Sequence, residues 1–186
     1  MTIAVGMLDR VRGCWIGVDS LEQRGDTHRT VDKLVHRHGL VAALSGHLAL
    51  ADAVSEAIDA ALDGEELRLH RFRKELRTIL DTSGWMPDGQ DGQPAWRDFA
   101  FLLTDGVSLV EFSGSLHAYP VKYGDFSAIG SGYEIALGAA HAMLSLGSVL
   151  PELVVRRALD AAIAHCLFCG SPARVIHVEP RSGIRP

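Results

Sequence analysis

Phe126-Ser127-Ala128-Ile129-Gly130-Ser131-Gly132-Tyr133-Glu134-Ile135-Ala136-Leu137-Gly138-Ala139 is the stretch whose reading decides the fold. Phe126 to Ile129 reads as a strand, Gly130-Ser131-Gly132 breaks it, and small and apolar residues then run as a helix to about Leu146. Read alone, Ser131 is an ordinary cap for the helix that begins near Gly132.

Upstream, Ile3 to Met7 and Cys14 to Val18 read as a hairpin with Asp9 to Gly13 as its turn. The second strand, Trp15-Ile16-Gly17-Val18, ends on Asp19-Ser20. A polar stretch from Gly25 to Val35 follows. Lys33 to Val35 and Leu40 to Leu44 read as a second hairpin, with Gly39 near its turn. Apolar residues at helical spacing mark Leu48 to Leu62, and after Asp63-Gly64 a more polar helix runs from Glu65 to Leu80. Gly84 to Trp96 is a loop rich in Gly, Pro and Asp. Phe99 to Leu103 and Ser108 to Phe112 are strands joined at Asp105-Gly106, and a short pair lies around Ser115 to Tyr119. Pro151 opens a helix that runs to about Phe168, and Arg174 to Val178 is a last strand. Strands, helices, strands and helices in that order suggest two antiparallel sheets covered by helices, although periodicity alone says only mixed α and β.

Composition narrows the function classes. The chain has 186 residues, 47% hydrophobic and 22% charged, which suits one domain with a sizeable core. A net charge of −5 argues against a nucleic-acid partner. No apolar run reaches membrane-span length, and the N-terminus lacks the basic flank and apolar block of a signal peptide, so a cytoplasmic protein with no membrane partner is expected. The 3 cysteines fit a reducing compartment. His165-Cys166-Leu167-Phe168-Cys169 offers one Cys-x-x-Cys, two ligands where a structural zinc needs four, so the thiols are expected to pack near a helix end and no metal is expected. His36 and His38 read as solvated surface.

Thr2 carries a separate signal. A small second residue favours removal of Met1, which would leave a free α-amino group beside a threonine hydroxyl. Such an amine titrates near pH ~8 and can take the hydroxyl proton.

The first strand, Asp19, Lys33, the segment Gly39-Leu40-Val41-Ala42-Ala43-Leu44-Ser45-Gly46 and the Gly-Ser-Gly helix resemble, in that order, the proteasome β-subunit family of N-terminal-nucleophile (Ntn) hydrolases. The likeness is strongest to its bacterial HslV and betaproteobacterial branches and spans roughly residues 2 to 179. It implies an α+β fold, a four-layer αββα sandwich of two antiparallel sheets. It also implies a threonine peptidase that works without metal or organic cofactor. Thr2 matches the nucleophile, Lys33 the lysine that eases its deprotonation, and Asp19 the carboxylate that holds Lys33. Ser131 matches the serine that hydrogen-bonds the terminal amine. The backbone N–H of Ala43 is the expected oxyanion donor. Ser20, Val31, Val35 and Ser45 are candidates for the substrate pocket, and His47 could project toward a substrate. The resemblance further implies a homo-oligomeric ring, peptide or unfolded-protein substrates and an ATPase unfoldase partner.

The chain departs from the family pattern late in the sequence. Where the family carries another aspartate near the end of its last long helix, Ala164 or Cys169 stands here, with Asp160 a turn too early and His165 a partial substitute. A second alignment puts Met1 at the nucleophile position. Two further readings therefore stand beside the peptidase: an inactive ring-forming subunit and a small-amide Ntn hydrolase. The tail from Pro180 to Pro186 is expected to be disordered.

Overall fold

Asp9 folds the start of the chain back on itself. Its Oδ1 accepts the backbone N–H groups of Val11 (2.9 Å) and Arg12 (2.8 Å), and these bonds hold its carboxyl below the usual range. The turn joins β1 (Ile3–Asp9) to β2 (Gly13–Val18), and the register Ala4↔Val18 carries Asp19 to the side of Ile3. This computed structural model describes residues 2–24, 27–46, 50–82, 99–181 and 183–185. Met1, His47, the expected helix start at Leu48 and the loop from Gly84 to Trp96 lie outside the described residues.

Two antiparallel sheets form the centre. In the first, β12 (Phe126–Gly130) and β13 (Arg174–Val178) flank the hairpin in the order β12-β1-β2-β13. The second contains β5 (Leu34–Arg37), β6 (Leu40–Ser45), β9 (Ala100–Thr104), β10 (Leu109–Phe112) and β11 (Ala118–Val121), ordered β11-β10-β9-β6-β5. Side chains alternate across a strand, and both faces of these strands are covered. Ile3, Val5 and Met7 of β1 pack under α3 (Tyr133–Leu144) and α4 (Pro151–His165), while Ala4 and Leu8 point between the sheets. On β6, Val41 and Ala43 fill the inter-sheet layer. Ala42 and Leu44 face α1 (Leu50–Ala61) and α2 (Leu69–Thr82). The result is the expected four-layer αββα sandwich, an α+β fold.

Local departures have local causes. The polar stretch after Ser20 forms a hairpin of β3 (Leu21–Arg24) and β4 (Thr27–Thr30), whose pattern is too polar to announce a strand. Glu65 does not begin a helix, because β7 (Leu62–Asp63) and β8 (Glu66–Arg68) pair around Gly64. The expected pair near Ser115 is the single strand β11. Helix α4 ends at His165 because Cys166 is extended, with φ −107 and ψ 122.

The C-terminal segment corrects the expectation of disorder. β14 (Ile184–Arg185) adds in parallel to β8, and Arg185 pairs with Glu66 at 2.8 Å. The buried Asp105 fixes the segment: its Oδ2 accepts the N–H groups of Gly183 and Ile184, each at 2.8 Å. Sequence reading could not see this contact, since it joins residues 78 positions apart. No helix among the described residues is long and apolar enough to cross a membrane.

Candidate active site

The site lies where the first strand begins. Because β1 sits between β2 and β12, the backbone beside Thr2 is reached from both neighbours. From β2, the Asp19 N–H donates to Ile3 O at 3.2 Å. From the β12 side, the Ser131 N–H donates to Thr2 O at 2.7 Å, and from β6 the Ser45 hydroxyl donates to the same oxygen at 3.3 Å. Thr2 is 2% exposed. Its carbonyl is thereby held by two elements that are distant in sequence.

Gly130 is required for this approach. It has φ +89, and a Cβ there would fall 2.0 Å from Thr2 O and 2.2 Å from Ser45 Oγ. Only glycine combines that backbone angle with that proximity. The cap reading of Ser131 fails: the N-cap of α3 is Gly132, in the left-handed region, without a side-chain capping bond.

Asp19 and Lys33 form the ionic centre. Their Oδ1–Nζ distance is 2.9 Å, with side-chain exposures of 0% and 4%. Asp19 Oδ1 also accepts the Ile3 N–H at 3.0 Å, while Oδ2 accepts those of Gly170 (3.1 Å) and Leu21 (3.3 Å). Lys33 Nζ donates in addition to Leu21 O. An ion pair on the surface is worth under about 1 kcal/mol and asks for no such scaffold. A buried pair carries a desolvation cost of several kcal/mol per ion, so one surrounded by oriented donors marks a candidate functional centre. The shared Oδ1 sets the ammonium beside the Thr2–Ile3 peptide.

Other expected residues divide. Ser20 is buried, with its N–H on Gly170 O (3.2 Å) and its carbonyl accepting the Val31 N–H (2.9 Å), which seats both next to Asp19. Val31 is half-buried. Ser45 reaches Thr2 directly. Val35 does not belong here: its side chain packs in the core between the second sheet and α1–α2, with Ala42, Leu44 and Val54. Ala43 is also corrected. The Leu44 N–H donates toward β5, to Lys33 O at 3.0 Å. Successive strand N–H groups point to opposite edges, so that of Ala43 is turned toward β9, where Ala43 pairs with Leu102. The ladder of β6 ends at Ser45, and the next N–H belongs to Gly46, with φ 126. Gly46 was legible as the glycine closing the Ser45-Gly46 strand end.

Where the family pattern calls for a late aspartate, Cys169 lies against the serine turn. Its buried thiol donates to Ser131 O at 3.0 Å. Burial, reinforced by Cys166 and by the charge of Asp19, pushes this thiol well above the ordinary range. It is a neutral donor where a carboxylate would be a charged acceptor. Asp160 is on the exposed side of α4, paired with Arg157 at 3.5 Å. Among the described residues no cluster of three metal-ligating side chains occurs.

The layering and topology are those of a four-layer αββα sandwich of two antiparallel sheets. Among solved structures, BPH of Thiobacillus denitrificans in complex with epoxomicin superposes with a TM-score of 0.74 at 18% identity, covering 95% of this chain and 100% of that one. A second structure of the same protein gives 0.75 at 17% identity, covering 96% and 100%. Eukaryotic HslV from Trypanosoma brucei gives 0.73 at 18%, covering 95% and 99%. At these identities the likeness establishes the fold. No protein-family model matches the sequence, and no curated protein matches it.

Proposed function

We propose that the chain is a threonine-type peptidase subunit of a proteasome-like ring, acting through Thr2 once Met1 is removed. The observation that carries this reading is the buried Asp19–Lys33 pair, whose shared oxygen Oδ1 also holds the Ile3 N–H beside Thr2. A lysine fixed there supplies positive charge where a threonine alkoxide would develop. Asp19 holds that ammonium and the strand in one geometry, so the charge needs no reorganisation during reaction.

In this mechanism the free Thr2 amine takes the hydroxyl proton, and Oγ1 attacks the substrate carbonyl carbon. The Gly46 N–H is the candidate donor to the resulting oxyanion, in place of Ala43. Collapse of the tetrahedral species passes the proton to the departing amine and leaves an ester on Thr2. Water, activated by the same amine, hydrolyses the ester. Ser131 keeps the Thr2 carbonyl in register, and Ser20, Val31 and Ser45 are the substrate-contacting candidates. Substrates are peptides or unfolded proteins, and an ATPase unfoldase is the partner class that would supply them. Tyr133, Leu137 and Leu153, respectively 45%, 38% and 40% exposed on α3 and α4, suit contacts between ring subunits.

A second reading, a ring subunit without activity, is favoured by one observation: the neutral Cys169 beside Ser131 in place of a carboxylate. Intact mass and peptide hydrolysis decide between them. A chain that has lost Met1, cleaves unstructured peptides and loses that activity on Thr2→Ala is the peptidase. Retained Met1 after expression with an active methionine aminopeptidase, and no hydrolysis, leaves the inactive subunit. A third class, a small-amide Ntn hydrolase, would turn over small amides and spare peptides.

A further inference from the structure

Cys166 and Cys169 close a turn at the end of α4, and the peptidase reading uses neither as a reacting group. The Cys169 N–H donates to Cys166 O at 3.2 Å. A hydrogen-bonded four-residue turn keeps its end Cα atoms within about 7 Å, and a disulfide spans roughly 4.4–6.8 Å between Cα atoms. Both side chains also converge on one point. A Cβ built on Gly132 would lie 3.1 Å from Cys166 Cβ and 3.3 Å from Cys169 Sγ. Cys166 is half-buried and Cys169 is buried.

This pair touches the candidate site twice. Cys169 Sγ donates to Ser131 O at 3.0 Å, and the Ser131 N–H holds Thr2 O. The next residue, Gly170, donates its N–H to Asp19 Oδ2 at 3.1 Å. We propose that Cys166 and Cys169 are a reversible dithiol–disulfide modification site, oxidised by low-molecular-weight disulfides, whose state is transmitted to the Thr2 pocket through Ser131.

The chemistry closes without any other reactant. Cys166, the more accessible thiol, gives up its proton, and its sulfur attacks one sulfur of the small disulfide. The S–S bond of that reagent breaks, and one small thiol leaves with a proton. Cys169 then loses its proton, attacks the Cys166 sulfur of the mixed disulfide and expels the second small thiol. Two protein thiols are oxidised and one disulfide is reduced to two thiols. Cys166 is the half-buried thiol and Cys169 the buried one, so Cys166 is the entry and Cys169, beside it in the turn, the resolving group. Oxidation removes the hydrogen that Cys169 donates to Ser131 O, and the turn that holds Thr2 loses that support.

The consequence for hydrolysis rests on the peptidase reading, but the covalent step does not. The test incubates the full chain with glutathione disulfide, alkylates free thiols under denaturing conditions and maps the linked peptides. An internal Cys166–Cys169 link is expected in the parent chain and in Cys14→Ser, reversed by dithiothreitol and absent from Cys166→Ser. Hydrogen exchange at the Ser131 amide should accelerate by about fivefold on oxidation, the effect of losing one neutral hydrogen bond. Mixed disulfides that never resolve, a link to Cys14, or unchanged Ser131 exchange overturns the proposal. A chain that forms the link yet cleaves no peptide in either state overturns the peptidase reading and leaves this one standing.

Discussion

Two aspartates are equally hidden in this molecule, and they do different work. Asp19 is 0% and Asp105 1% exposed. Asp105 is satisfied by backbone alone: its Oδ1 accepts the Val107 and Ser108 N–H groups (3.0 and 2.6 Å), and its Oδ2 those of Gly183 and Ile184. It closes a turn and pins the C-terminal segment. Asp19 gives one oxygen partly to the Lys33 ammonium, a side-chain charge held in place where backbone donors could have served. A buried carboxylate answered only by main chain is a structural staple. One that retains a side-chain cation beside a candidate nucleophile points to chemistry.

The sharpest way to break this contrast is Thr2→Ala. Peptide hydrolysis should fall by about three orders of magnitude or more, with the melting temperature nearly unchanged; a small loss would detach the Asp19–Lys33 pair from catalysis. Asp19→Asn comes next. It removes the charge that balances the buried Lys33 ammonium and should cost about 3–5 kcal/mol in chemical denaturation together with hydrolysis. If the variant unfolds like the parent, the pair does not hold the strand.

Gly130→Ala should cost about 2–4 kcal/mol, since the backbone at φ +89 and the Thr2 carbonyl both reject a side chain. A stable, active variant would show that the serine turn can shift away from Thr2. Asp105→Asn sets two N–H groups against an amide donor and should cost about 1–3 kcal/mol. Proteolysis should then remove the tail, while hydrolysis per folded molecule stays at the parent level; lost activity would erase the distinction between the two aspartates.

The smallest effect concerns Cys14, which has no part in either aspartate's role. Its burial between the sheets raises its thiol from 9.0 to about 12. The stability it contributes is fully present below about pH 9, the unfolded value, and is lost as pH rises toward about 12. Thermal melts from pH 8 to 10.5 should steepen above about pH 9, and Cys14→Ala should flatten that slope.

Much of the fold was legible. Strands buried on both faces read as continuous apolar runs, so β1, β2, β6 and β9 declared themselves within a residue or two. Pro151 and the Gly130-Ser131-Gly132 turn marked two helix starts. The β3–β4 hairpin and the β7–β8–β14 sheet were hidden, because polar edge strands have no periodicity and their stability comes from partners elsewhere. In the candidate site, Thr2, Asp19, Lys33 and Ser131 were singled out by order and type, and the structure brings them into contact with one another. Val35 could not be excluded, because alternation only says that it opposes Leu34, not which face meets the core. Ala43 failed for a related reason: the direction of its N–H depends on which neighbour β6 pairs with at that residue.

The sequence by itself determined the types of the apolar elements, the strand–turn–helix around Ser131 and the candidates for the chemistry, since these depend on local periodicity and side-chain type. Tertiary structure alone decided which carboxylate faces a cation, that Ser45 and Ser131 meet at Thr2 O, that Cys169 lies on the serine turn and that the tail docks on Asp105. Together with the Gly170 N–H on Asp19, 151 residues apart, those contacts join segments distant in sequence. They exist only because two sheets and their helices bury apolar faces that no single segment can bury alone.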